Sequence, residues 1–241
     1  RVHPKEDVLA ELGPALTRLA ARGGTAVVPV FAVGRAQALL HAIGQLKARG
    51  DLPHGLPVYL DSPMAVETTE LYERHVSEHR LNAAQCRDME RVARLVTSVE
   101  HSKAIARQHG PKVVLAASGM ATGGRVLHHL TQYLGDHRNM VVLTGYQAPG
   151  TRGAHLAQGT QSLRIFGQEW PVRAEVVQLT SASAHADADQ LMAWLTQLSK
   201  PPHRVFVTHG DMEAADALRA RIEHQLGWRA MVPEHGSTWL A

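Results

Sequence analysis

A single cysteine, Cys86, is present among the 241 residues. One thiol excludes an internal disulfide framework and any zinc site built from clustered cysteines. No run of about 18 apolar residues occurs, so the sequence predicts no transmembrane helix and no membrane partner. Residues 1–7 lack the apolar core of a secretory signal peptide. These absences favour a protein of a reducing compartment, and we expect a cytoplasmic one.

The charged residues that are present are distributed unevenly. The formal net charge is +3, yet residues 101–150 carry five basic side chains and one acidic side chain. Residues 51–100 are acidic by comparison, with nine acidic and five basic side chains. A basic stretch of this kind can face phosphate groups, although an unevenly charged solvated surface gives the same pattern.

Short apolar runs alternate with segments of helical periodicity, which predicts an α/β fold with a mostly parallel sheet flanked by helices. The predicted strands are residues 26–30, 57–60, 112–116, 140–144, 162–166, 174–179 and 204–208. The predicted helices are residues 34–47, 65–79, 123–134, 188–198 and 214–226. Sheets of this class bind ligands at the carboxyl ends of their strands.

Glycine, serine and arginine follow two of the predicted strands. Ser118 and Gly119 lie in a glycine-rich turn before Arg125, and Arg35 opens the helix after the first strand. Backbone amides in such a turn, with a guanidinium nearby, can bind a phosphate. The spacing fits neither a P-loop nor a dinucleotide-binding fingerprint, and an ordinary strand–helix turn explains the same residues.

Two histidines of the last quarter each lie between a predicted strand and a predicted helix. They are His185, with Asp187 as the expected N-cap of its helix, and His209. We expect both at the same edge of a sheet, where they can bind a metal or transfer a proton. A hydrogen-bonded structural role is the alternative. Ser183, beside His185, together with the free amides of the helix start, predicts an anion-binding cradle.

Six motifs occur in a fixed order and together resemble the β-CASP branch of the metallo-β-lactamase superfamily. They are VPVFAVGRAQ (28–37), LDSPMA (60–65), ASGMATGGR (117–125), TGYQ (144–147), SAHAD (183–187) and VTHGD (207–211). That branch contains two-zinc ribonucleases, among them the 3′-end processing endonuclease subunit of the cleavage and polyadenylation specificity factor and its bacterial and archaeal relatives. The resemblance extends over essentially the whole chain.

The resemblance implies roles for individual residues. His185 corresponds to the histidine proposed to protonate the leaving oxygen, His209 to a ligand of one zinc ion, and Ser183 to a residue that holds a substrate phosphate. Residues 1–172 would form the β-CASP domain, and residues 173–241 the returning C-terminal part of the metallo-β-lactamase domain. Single-stranded RNA would bind in the cleft between them, and a homodimer is a further expected partner.

The family's His-x-His-x-Asp-His signature is absent from this chain, as are the other metal ligands that precede the inserted domain. One histidine ligand cannot hold two zinc ions, since a catalytic zinc needs three protein ligands. We therefore expect zinc-dependent RNA hydrolysis from the intact protein, with two zinc ions, and none from this chain alone. Truncation of the chain is the first explanation of the missing ligands, and a natural subunit without them is the second.

Three other functions compete with the nuclease interpretation. A non-catalytic RNA-binding module would use the basic 101–150 segment and bind RNA without cleaving it. A pseudo-nuclease scaffold would pair with an active homologue. A hydrolase of small molecules is disfavoured, because small-molecule relatives lack a β-CASP-like insertion.

Overall fold

The computed structural model describes residues 7–183 and 185–239, and the chain divides between residues 183 and 185 into two compact units. The strands are β1 (Thr25–Pro29), β2 (Val58–Asp61), β3 (Arg94–Leu95), β4 (Lys112–Ala116), β5 (Met140–Thr144), β6 (Ser162–Ile165), β7 (Gln168–Pro171), β8 (Glu175–Leu179), β9 (Val205–Phe206) and β10 (Ala230–Met231). The helices are α1 (Val8–Ala21), α2 (Arg35–Ala48), α3 (Pro63–Arg74), α4 (Ala83–Val92), α5 (Val99–Ala106), α6 (Arg125–Tyr133), α7 (Arg152–Ala157), α8 (Ala188–Leu195) and α9 (Met212–Leu226).

The first unit is built around six parallel strands in the order β3-β2-β4-β1-β5-β8. Every residue of β1, β4 and β5 is buried, because helices cover both faces of the sheet. The predicted α/β fold with a mostly parallel sheet is therefore confirmed. An antiparallel hairpin of β6 and β7 precedes the last strand of the sheet.

Alternating side chains of the central strands enter two separate cores. Val28 of β1 and Val142 of β5 pack with the helices α1 to α4 on one face. Val27 of β1 and Val141 of β5 pack with α6, α7 and β6 on the other face. Because successive side chains of a strand point to opposite faces of the sheet, each central strand packs against the helices on both faces.

The helix after β2 is shorter than the sequence predicted. It begins at Pro63, where the Ser62 side chain accepts a hydrogen bond from the Ala65 amide at 3.3 Å, and it ends at Arg74 rather than at residue 79. His79 folds back instead: its Nε2 donates to the carbonyl oxygen of Tyr72 at 2.7 Å. A free carbonyl at the end of the helix thereby gains a partner, which favours termination there.

The second unit contains α8, β9, α9 and β10, and its two short strands pair in parallel. Its core is small and contains Met192, Leu195, Val207, Ala215 and Ile222. The expected N-cap at Asp187 is confirmed, because Asp187 and Gln190 form a reciprocal capping box. Asp189 pairs with Arg221 at 2.7 Å.

The two compact units divide later in the chain than residue 172, because β8 is paired with β5 in the first unit. The boundary between residues 172 and 173 concerns family domains rather than compact units, and it stays a prediction. Among the described residues, no helix combines the length and the apolar character that crossing a bilayer requires.

Gly24, just before β1, lies where the backbone closely approaches the residues that lead into the neighbouring strand β5. A Cβ atom at this position would lie 1.8 Å from the carbonyl oxygen of Arg138, which precedes β5. We expect Gly24→Ala to lower the free energy of unfolding by about 1–3 kcal/mol or more, because the backbone must move apart. Gly55→Ala is the matched control, since a Cβ there meets no atom within 4 Å. Equal urea midpoints for the two variants would contradict this account.

Candidate functional site

The order of the strands places five chain segments side by side where the strands end. We call these segments, residues 62–64, 117–120, 30–35, 145–147 and 180–183, the carboxyl edge, because they follow β2, β4, β1, β5 and β8 in their order across the sheet. Residues at this edge are held by buried strands, so their positions are fixed by the sheet.

Arg35 lies at the carboxyl edge as a guanidinium without a carboxylate partner among the residues that the structure describes. Its Nε is buried and has no hydrogen-bond acceptor within the described part of the chain. Burial lowers the pKa of Arg35, although the guanidinium remains charged near neutral pH. A Cβ built on Gly145 would lie 3.8 Å from Arg35 Nη2 and 3.6 Å from the carbonyl oxygen of Ala182. Arg35 and the 180–183 segment therefore converge around Gly145.

Ser118 and Gly119 form the turn after β4. The Ser118 hydroxyl lies 3.0 Å from that of Thr122 and accepts from the Thr122 amide at 3.1 Å, which closes the turn. Gly119 has another role, because a Cβ there would lie 2.7 Å from ring atoms of Phe31. The missing side chain of Gly119 makes room for this aromatic ring.

Arg125 is bound within the fold. Its Nη1 donates to Asp61 Oδ1 at 2.7 Å and to the carbonyl oxygen of Val96 at 3.1 Å, and its Nη2 donates to that of Thr97 at 2.5 Å. Both terminal nitrogens thus already have protein acceptors. Phosphate binding by Arg125 stays a prediction from the sequence, and these bonds compete with it.

Asp61, at the end of β2, is completely buried and has three side-chain donors. Besides Arg125, His129 Nε2 donates to Asp61 Oδ2 at 2.6 Å and the Ser102 hydroxyl donates to the same oxygen at 2.5 Å. Burial by itself raises the pKa of Asp61, but the hydrogen bonds from His129, Ser102 and Arg125 outweigh it and leave this pKa below its ordinary value. The carboxylate is therefore ionised and acts as the centre of a polar network.

Helix α1 holds both ends of β8. At the start of the strand, Glu175 pairs with Arg18 at 2.9 Å and with Arg22 at 2.5 Å. At its end, Glu11 accepts hydrogen bonds from the Thr180 hydroxyl at 2.6 Å, from the Ser181 hydroxyl at 2.9 Å and from the Ser181 amide at 3.2 Å. Burial raises the pKa of Glu11, but these hydrogen bonds outweigh it, so the pKa is lowered. The segment that leads to Ser183 is thus fixed at its first two residues.

His185 and His209 are brought together within the second unit, where their ring centroids lie 6.5 Å apart. The expectation that both follow strands of one sheet is wrong, because β8 belongs to the six-stranded sheet and β9 pairs with β10. His209 has a positive φ of 62°, an uncommon conformation for a residue with a side chain.

A zinc ion needs at least three protein ligands in a catalytic site. Within residues 7–183 and 185–239, no three histidine, cysteine, aspartate or glutamate side chains are grouped so that they could hold a metal ion. The described residues therefore do not form a zinc site by themselves.

Residues 36–156, half of the chain, match the family model of the Beta-Casp domain. The chain belongs to the β-CASP family. Residues 169–233 match a second model, described as the RNA specificity domain of Zn-dependent metallo-hydrolases, and this range contains both His185 and His209. The resemblance drawn from the six motifs is confirmed.

Curated relatives of this β-CASP chain include Ribonuclease TTHA0252 of Thermus thermophilus, 40% identical over 221 residues, which are 89% of this chain and 50% of that protein. Transcription termination factor FttA of Methanosarcina mazei is 32% identical over 85% of this chain and 34% of its own length. Integrator complex subunit 11 of Gallus gallus is 29% identical over 90% of this chain and 36% of its own length. The chain spans about half the length of the first of these relatives and about a third of the others.

The β-CASP motifs were visible in the sequence, but three residues that organise the site were not identified as such. Glu11 and Asp61 act through contacts with distant segments, and Phe31 acts through its contact with Gly119. Phe31 and Asp61 carried a local signal, since each lies at the end of a buried strand within one of the six motifs, whereas Glu11 carried none. The partners of the two carboxylates depend on which helix faces which strand end, and no spacing in the sequence encodes that.

Asp61→Asn should lower the free energy of unfolding by about 3–5 kcal/mol, because a buried ion pair loses its anion while Arg125 stays. The exposed carboxylate Asp88 provides the control, and Asp88→Asn should leave this free energy unchanged. Urea unfolding at pH 7 measures both.

The pH dependence of the same equilibrium gives a second measurement. The folded-state pKa of Asp61 is lowered, so the unfolded chain binds the proton first and acid favours unfolding. The contribution is fully present above the ordinary carboxyl pKa of about 4 and is lost as the pH falls through the folded value. Asp61→Asn should lack this component. An unchanged acid dependence in the variant would show that other carboxylates account for it.

Glu11→Ala should loosen the turn after β8 without unfolding the sheet. The Ser181 amide loses its side-chain acceptor, so we expect its hydrogen exchange to accelerate by about tenfold or more. Amides of β5 should keep their protection. Glu70→Ala, which removes an exposed glutamate of α3, is the control. Uniform acceleration across β5 and Ser181 would indicate global destabilisation instead.

Proposed function

We propose that this chain is the RNA-binding part of a zinc-dependent ribonuclease that hydrolyses phosphodiester bonds of single-stranded RNA. The observation that carries the proposal is the pair of adjacent imidazoles, His185 and His209, in the range that matches an RNA specificity domain of Zn-dependent metallo-hydrolases. The name of the 40% identical ribonuclease supports the same reaction class.

The two histidines have different proposed roles. His185 donates a proton to the 3′-oxygen that leaves when the phosphodiester bond breaks, and so acts as the general acid. His209 is one ligand of a site for two zinc ions, and the other ligands come from residues outside the described part of the chain. Because the described residues do not complete that site, we expect this chain alone to be inactive.

The carboxyl edge is the proposed phosphate-binding surface. Arg35 is the strongest candidate, since its buried Nε has no acceptor in the described part of the chain and an arginine fork suits a phosphate. The hydroxyl of Ser118, the backbone of Gly119 and the hydroxyl of Ser183 are the neutral donors proposed beside it. Arg125 is the weakest candidate, because Asp61 and two carbonyl groups already accept from it.

A second function, RNA binding without cleavage, is favoured by one observation: the described residues supply no metal site. It would suit a scaffold that pairs with an active homologue. Both functions require RNA binding that weakens as salt increases. They differ in whether a protein with the complete set of zinc ligands cleaves RNA. A homodimer and a cytoplasmic location also stay predictions.

Two histidine variants test the nuclease proposal in the intact enzyme. His185→Ala should lower the rate of RNA cleavage by about a hundredfold or more while the bound zinc stays unchanged, because a proton donor is removed and no ligand is lost. His209→Ala should lower the zinc content itself. Cleavage assays on a labelled single-stranded RNA and metal analysis of the same preparations give both values.

His137→Ala is the control, because that side chain is 87% exposed and remote in sequence from both motifs. Loss of zinc in His185→Ala would assign that histidine to the metal. Full zinc content in His209→Ala would remove it from the ligand set. Salt-dependent RNA binding without cleavage by a zinc-loaded protein would favour the non-catalytic function.

A further inference from the structure

Phe31 is an aromatic residue that the fold does not bury. It follows β1, the strand between β4 and β5, and 46% of it is exposed, whereas Val28 and Val30 before it are buried. A Cβ atom on Gly119 would lie 2.7 Å from ring atoms of Phe31, so part of the ring fills the space that a side chain at position 119 would need. The ring therefore packs at Gly119 on one part and is exposed to solvent on the remainder.

The neighbours of Phe31 suit a nucleic acid chain. On one side, after β4, lies the hydroxyl of Ser118; on the other, after β5, the guanidinium of Arg35 lies beside Gly145. The side chains of Val33 and Met64 at the same edge are also exposed, at 67% and 64%. Apolar surface interspersed with an uncompensated cation and hydroxyl donors matches a polymer of alternating flat bases and phosphates.

We propose that Phe31 is a stacking platform for a nucleobase of single-stranded RNA, with the adjoining phosphate directed to Arg35. The proposal rests on the proposed RNA-binding function and names a base-binding residue for it. A phenyl ring has no hydrogen-bonding group, so every base stacks on it in the same way and the sequence of the RNA is not read. Gly119 is a positioning residue in this scheme, because its lack of a side chain sets where the ring lies.

The test compares two ligands that share a backbone. One is a single-stranded oligonucleotide with bases, and the other is the same length with abasic tetrahydrofuran units in place of the nucleosides. Phe31→Ala should weaken binding of the first by about 5- to 150-fold, the range that stacking of one base contributes, and leave binding of the second unchanged. Fluorescence anisotropy with the full chain measures both dissociation constants.

Two conservative variants separate stacking from apolar contact. Phe31→Trp should restore or improve binding of the base-bearing oligonucleotide, since indole also has a π face. Phe31→Leu should behave as the alanine variant does, although leucine keeps apolar volume. Phe166→Ala, at an exposed aromatic residue on the β6–β7 hairpin, is the control and should change neither constant.

Gly119→Ala gives an independent variant that keeps the phenyl ring. The added methyl group must displace the ring of Phe31, so base-dependent binding should fall as it does in Phe31→Ala. The double variant should bind no more weakly than Phe31→Ala, because both changes remove one interaction. Additive losses would show that Gly119→Ala disturbs an interaction other than that of the ring, which contradicts the positioning role of Gly119.

The outcomes distinguish a failure of the stacking proposal for Phe31 from a failure of the proposed RNA-binding function. If the parent chain binds neither oligonucleotide, the RNA-binding function fails and the platform fails with it. If the parent binds both equally and Phe31→Ala does too, RNA binding stands and the platform is wrong. If Phe31→Ala changes the mass of the protein in light scattering but not its affinity for the base-bearing oligonucleotide, the exposed ring is a contact between protein chains, which also overturns the proposal.

Discussion

A carboxylate buried at the end of β2 is the constraint on which the carboxyl edge depends. Asp61 has no exposed surface, and burial of an unpaired charge would cost several kcal/mol. The cost is offset by donors from two helices: Arg125 and His129 on α6, and Ser102 on α5. Because α6 follows β4, these bonds fasten the ends of two neighbouring strands to each other. The turn that contains Ser118 and Gly119 is thus anchored at both ends, by β4 and by the first turn of α6.

This network explains why two arginines with similar positions in the sequence have different hydrogen-bond partners. Arg35 and Arg125 each follow a glycine and each open a helix after a buried strand. Arg125 meets a buried carboxylate and becomes part of the fold, whereas Arg35 meets the backbone around Gly145 and keeps a buried Nε without an acceptor among the described residues. A desolvated guanidinium in that state gains more from an added anion than a solvated one does. The difference between them is therefore the difference between a structural cation and a candidate ligand-binding cation.

The main strands and most of the longer helices could be predicted from the sequence, because buried strands and amphipathic helices have patterns of apolar residues that are recognisable without tertiary contacts. The sequence did not reveal α1, although Leu9, Leu12, Leu16 and Leu19 have helical spacing, because Pro14 interrupts the pattern that helices prefer. Short helices such as α4 and α5 were not predicted either, since their stability comes from packing rather than from a long apolar stripe. At the site, motifs located the histidines, Arg35 and the glycine-rich turn. Which side chains meet across segments, as Glu11 meets Ser181, depends on packing that a single sequence does not encode.

The helix missed in the sequence is the one that stabilises the outer strand of the sheet. Within residues 7–183 and 185–239, β8 pairs with β5 on one side only, and an edge strand without further support is free to shift or to separate. α1 supplies that support with ionic contacts at Glu175 and hydrogen bonds at Thr180 and Ser181, so both ends of the strand are held by one rigid element. A pre-ordered strand end loses little conformational entropy when a ligand binds next to it. The conformational entropy of the 180–183 segment is therefore lost when α1 packs onto β8 during folding, so the proposed binding of a phosphate beside Arg35 would not require this segment to become ordered.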